Sequence, residues 1–136
     1  VSYPLIKIEG IGAEYANILA NAGIKTTTSL LKKTRTPKQR TDLSKITGIS
    51  KKLILEWANL ADLMRIKGIG EEWSDLLEEA GVDTVKELKK RNADNLYDAM
   101  VKINAKKKLV RRVPPRTYVK AWVKQAAKLK PMLEYQ

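Results

Sequence analysis

The chain has no cysteine and no histidine among its 136 residues. Disulfides, thiolate or imidazole metal ligands and the usual nucleophile–base pairs are therefore absent, which disfavours most enzyme classes. Acidic residues are also in short supply, 15 against 27 basic ones, for a formal net charge of +12. No apolar run approaches the roughly 20 residues needed to cross a bilayer, and no secretory leader pattern opens the sequence. These absences give the expectation of a soluble protein of the cytoplasm or nucleoid, monomeric, with no cofactor, no metal and no membrane partner.

The positive charge is distributed in blocks. Residues 1–31 are balanced, 32–52 hold eight basic residues against one acidic, 53–101 hold six against eleven, and 102–136 hold eleven against one. Such alternation suggests surfaces with different roles, although charge runs are also simply solvated faces.

The sequence also contains an internal repeat. A shift of 58 places Ile8, Gly10, Ile11, Gly12, Glu14, Ala22, Gly23 and Thr26 on the identical residues Ile66, Gly68, Ile69, Gly70, Glu72, Ala80, Gly81 and Thr84. Further along, a shift of 65 places "SKKLILEWANLADLM" from Ser50 on "PRTYVKAWVKQAAKL" from Pro115, with Trp57 on Trp122. The difference is a seven-residue insertion in the second copy among Asn104 to Arg112, a lysine-rich patch. The two halves read as 1–63 and 64–136 and are expected to pack as one body.

Apolar residues recur at three- and four-residue spacing and nowhere alternate as in a strand, so an all-α fold is expected. The spacing and start signals predict helices at 14–22, 27–33, 37–46, 51–66, 71–80, 84–91, 93–103 and 115–130, with a short turn before Gly10. Thr36 before Pro37 is an N-cap signal, Thr84 with Glu87 fits a capping box, and Pro115 can open the last helix. The helix 51–66 closes the first copy and leads into the second. In "GIG", Gly10-Ile11-Gly12 and Gly68-Ile69-Gly70, one glycine can take a positive φ, the isoleucine plugs the core, and the other glycine is expected to let the next helix approach closely. Backbone N–H groups of such a turn face outward together and suit a phosphate oxygen.

The pattern hydrophobic-x-Gly-hydrophobic-Gly resembles the helix-hairpin-helix motif, and "LSKITGISKKLILEW" fits a second hairpin with Gly48, Ile49 and Ser50 in place of "GIG". "RRVPPRTYVKAW" is its degenerate counterpart. The whole arrangement is similar to a family of uncharacterised tandem helix-hairpin-helix proteins known only as a domain of unknown function. The resemblance implies an internal duplication of a five-helix paired helix-hairpin-helix, SAM-like unit. It also implies a clasp on the backbone of double-stranded DNA that reads no sequence.

Charge separates the hairpins. Glu14 and Glu72 stand where DNA-binding hairpins often carry Lys or Arg, and a carboxylate there suits the helix dipole but repels phosphate. The better candidates are Lys45, Gly48, Ile49, Ser50, Lys51 and Lys52 in one copy and Lys106, Lys107, Lys108, Arg111, Arg112 and Arg116 in the other, with Lys32, Lys33, Arg35, Lys38 and Arg40 nearby. Trp57, Trp73 and Trp122 fall on apolar stripes and read as core, so stacking on bases is not expected. Glu71, Glu72, Asp75, Glu78 and Glu79 read as the wet face of an acidic helix. Helix 71–80 is also a candidate protein-contact surface. Three functions stay open: nonspecific binding of double-stranded DNA, a helical interaction or scaffold module, and a lyase acting on abasic sites through a lysine Schiff base.

Overall fold

The computed structural model describes residues 2–136 and is all-α. Among these residues a 3₁₀ turn, Leu5–Lys7, precedes eight helices: α1 Ala13–Asn21, α2 Thr27–Lys33, α3 Pro37–Thr47, α4 Lys51–Leu63, α5 Glu71–Glu79, α6 Val85–Lys89, α7 Ala93–Lys107 and α8 Arg116–Lys128. Most starts are set by capping side chains. Thr26 with Ser29 and Thr36 with Gln39 form complete capping boxes, and Ser50 and Asn92 accept the third amide of their helices. Thr84 accepts from the Glu87 amide at 3.0 Å, which is half of the box its sequence suggests.

The repeated "AG" pairs close α1 and α5 in the same way. Ile24 N–H reaches back to Leu19 O at 2.9 Å and Gly23 N–H to Ala20 O at 3.0 Å, while Val82 bonds Leu77 O at 2.8 Å and Gly81 bonds Glu78 O at 3.0 Å. This is the Schellman arrangement, in which the residue after the glycine is apolar and folds back onto the helix. Ile24 and Val82 are both fully buried.

Two boundaries differ from the sequence expectation by three or more residues. The helix expected at 51–66 ends at Leu63, because Ile66 and Ile69 must both turn into a core, where each is 0% exposed. The helix expected at 93–103 continues to Lys107 and stops at Lys108, a non-glycine residue at φ 50°. Part of the presumed insertion is therefore extra helix.

Buried side chains form two clusters. One runs from Leu5 to Met64 and includes Trp57, and the other runs from Leu63 to Ala126 and includes Trp122. The terminal segment after α8 crosses back, so that Leu133 is buried in the first cluster. In each half a tryptophan lies over the first glycine of "GIG". A Cβ on Gly10, at φ +91°, would stand 3.2 Å from Trp57 Nε1, and one on Gly68, at φ +94°, would stand 3.1 Å from Trp122 Nε1. Tyr15 packs edge-on against Trp57 at 5.1 Å between ring centroids, and Trp73 lies tilted against Trp122 at 5.6 Å.

The second glycines behave differently from expectation. A Cβ on Gly12 or Gly70 would meet nothing within 4 Å, and neither has a positive φ. They do not permit close helix packing. They are N-caps without a side chain, and they leave the first amides of α1 and α5 uncapped. A serine at each position of one turn tests the distinction. Gly68→Ser should cost about 2–3 kcal/mol through backbone strain and displacement of Trp122. Gly70→Ser should be neutral or slightly stabilising, since serine is a good N-cap. Equal denaturation midpoints for the two variants would contradict this division of roles.

Candidate nucleic-acid interface

The α3–α4 turn gathers charge around a rigid tip. Gly48, at φ 75°, ends α3, Ile49 is 4% exposed and anchors the turn in the first core, and Ser50 opens α4 by accepting the Leu53 amide at 3.2 Å. Side-chain bonds fix the loop: Ser44 Oγ donates to Ile49 O, and Thr47 Oγ1 accepts from Ile49 N at 3.2 Å while donating to Leu43 O at 2.7 Å. Lys45 is exposed in the last turn of α3, and Lys51 and Lys52 are exposed in the first turn of α4. None of the three has a carboxylate within 4.0 Å among the described residues. The serine cap takes the Leu53 amide and leaves those of Lys51 and Lys52 without an intrahelical acceptor.

The second basic region is built differently. Asn104 holds the loop after α7 with a pair of bonds to Val110, 3.0 and 3.1 Å long. Lys106, Lys108, Arg111 and Arg112 are exposed. Lys107 is paired with Glu79 at 2.7 Å. Arg116 is held by Asp94 at 2.8 Å and Asp98 at 3.7 Å, and its guanidinium lies 4.5 Å over the Tyr97 ring. Its hydrogen bond to Asp94 raises its pKa and lowers that of Asp94. Of the flanking cations, Lys38 pairs with Asp42 at 3.0 Å, while Arg40 is 5% exposed and bonds three backbone carbonyls. Arg40 is thus a structural residue and not part of a basic surface.

Among the aromatic residues the core expectation holds for Trp57 and Trp122, which are 1% and 2% exposed. Trp73 is only partly buried; its Nε1 donates to Arg112 O at 2.9 Å, and its ring meets Tyr118 edge-on at 5.9 Å. Tyr118 is 49% exposed. The phase of α8 carries a signal for this, since Val119, Trp122 and Ala126 form its buried stripe and Tyr118 precedes that stripe.

The acidic helix is also less uniformly wet than its composition suggests. Glu71, Glu72, Glu78 and Glu79 are exposed, but Asp75 is half-buried and its Oδ1 lacks a donor. Burial, a hydrogen bond with Glu9, and repulsion from Glu9, Glu78 and Glu71 push the Asp75 carboxyl up to about 7. A proton held between Asp75 and Glu9 would satisfy the orphaned oxygen. Nearby, Lys7 reaches Glu71 at 3.7 Å. A carboxyl raised from 3.8 to about 7 on folding contributes stability that is present below pH 4 and lost as pH rises through about 7. Asp75→Asn should therefore gain more stability over the native chain at pH 8 than at pH 5, and little near pH 4. A pH-independent difference in melting temperature would contradict the shared proton.

No described helix is long and apolar enough to cross a membrane. No curated protein and no solved structure matches the chain. One family model matches residues 9–129, nearly the whole chain, and spans both "GIG" turns and both tryptophan helices. The chain accordingly belongs to the domain of unknown function family DUF4332.

Proposed function

We propose that this protein is a non-catalytic, sequence-nonspecific binder of double-stranded DNA, built by duplication of a paired helix-hairpin-helix unit. The matched glycine–tryptophan contacts and matched helix closures of the two halves support the duplication. The observation that carries the binding reading is the α3–α4 turn, where Lys45, Lys51 and Lys52 stand exposed, unpaired among the described residues, beside two amides that have no intrahelical acceptor. A phosphate placed there meets ammonium groups and the positive end of α4 together. Such contacts fix the backbone and carry no sequence information.

In the other half, binding rests on side chains. Arg111 and Arg112 supply charge, while Pro114 and Pro115 offer no amide. Glu72 shares an open depression with Lys108 and Arg111, so its repulsion of phosphate is partly offset there. Equilibrium binding to blunt duplexes of unrelated sequence tests the assignment. Affinities should agree across sequences and weaken steeply with added salt. Absence of binding at about 50 mM salt, where electrostatic association is strong, would favour a scaffold role.

A further inference from the structure

The two halves differ at aligned positions in a direction that points to different ligands. Where the first copy has Ser50, Lys51, Lys52 and Leu53, the second has Pro115, Arg116, Thr117 and Tyr118. The serine cap is lost, the arginine is held by Asp94 and Asp98, and the second lysine is gone. The features that suit a phosphate at the α3–α4 turn are thus absent or occupied at the start of α8. In their place stands an aromatic ledge. Tyr118 replaces the half-buried Leu53 and is 49% exposed, and Trp73, replacing Tyr15, buttresses it edge-on at 5.9 Å. The Trp73 Nε1 bond to Arg112 O, 2.9 Å long, pins the arginine loop beside the ledge, and the Arg111 and Arg112 side chains are exposed.

We propose that this ledge binds an unpaired base of a strand leaving the duplex, making the protein selective for duplex ends with single-stranded extensions. The inference rests on the duplex-binding reading and assigns a second substrate feature to the other half. Every base has a π-face that stacks on an aromatic ring whatever its identity, and Arg111 and Arg112 supply the complementary charge for the phosphates on either side. Paired bases inside a duplex are already stacked and present only their edges in the grooves, so the ledge gains nothing from an intact helix.

The test is fluorescence anisotropy with three labelled DNAs: a blunt duplex, the same duplex with a short single-stranded extension, and a duplex whose extension carries the same phosphates but abasic sugars. The extension with bases should bind about tenfold more tightly than the abasic one, the worth of one stacked base. Tyr118→Ala should abolish that ratio without changing blunt-duplex affinity, and Tyr118→Phe should keep it. Lys51→Glu with Lys52→Glu should weaken all three ligands and leave the ratio intact. Equal binding of the two extensions by the native chain would overturn the ledge while leaving duplex binding in place. A Tyr118→Ala variant that loses blunt-duplex affinity equally would overturn it as well. Failure to bind any of the three DNAs would remove the duplex reading itself.

Discussion

Replacing Arg40 by alanine should destabilise the fold by about 3–4 kcal/mol and release the segment after α8. Arg40 is 5% exposed, and its guanidinium donates to Thr34 O at 2.7 Å, Arg35 O at 3.2 Å and Glu134 O at 2.6 Å. Burial lowers its pKa, against an opposing pull from Tyr135 and Glu134. Around that anchor, Glu134 N–H bonds Arg35 O at 2.7 Å, Tyr135 Oη bonds the Asn59 side chain at 2.9 Å, and Leu133 fills the edge of the first core. Loss of the guanidinium removes three hydrogen bonds, leaves Thr34 O and Glu134 O without that donor and frees the strap, so the effect exceeds that of one bond. Arg40→Lys should recover only part of it, because an ammonium cannot reproduce the planar fork. Urea denaturation gives the magnitude, and faster proteolysis at residues 130–136 shows where the change acts. A midpoint within error of the native value would show that Arg40 does not anchor this segment.

Changing Lys51 and Lys52 together to Glu should reduce duplex affinity on the order of 10- to 100-fold at low salt. Both side chains are exposed in the first turn of α4, so folding should be little affected, and glutamates there suit the positive end of the helix. The loss should be the same for unrelated duplex sequences, because phosphate contacts are indifferent to the bases. By contrast, Arg116→Ala should have much less effect on binding, since that guanidinium already serves Asp94, Asp98 and the Tyr97 ring. A double variant that binds like the native chain would remove the α3–α4 turn from the interface.

The parts of this fold that are legible in the sequence are those fixed by local geometry. The positive φ of one glycine in each "GIG" and the caps at Thr36 and Thr84 depend on residues within a few positions of one another. The burial of Trp57 and Trp122 follows from the periodicity of their helices. Long-range pairing is what the sequence conceals. Arg40 looks like one more member of a basic block, but its partner Glu134 is 94 residues away. Arg116 looks like a free cation beside two prolines, but Asp94 lies across the α7–α8 contact. Asp75 looks solvated until Glu9 of the other half is placed against it. The second glycine of each "GIG" is hard to read because the motif shows that a side chain is absent, not which atoms would have met it. At Gly12 and Gly70 none would.

The central claim is that the α3–α4 turn meets duplex phosphates, and the salt dependence of binding measures this most directly. Plotting log affinity against log salt concentration for the native chain and for the Lys51→Glu, Lys52→Glu variant should give two straight lines. The variant's slope should be shallower by about two units, roughly 0.9 for each phosphate that the protein no longer neutralises. Parallel lines, or a native chain whose affinity does not respond to salt, would contradict the claim.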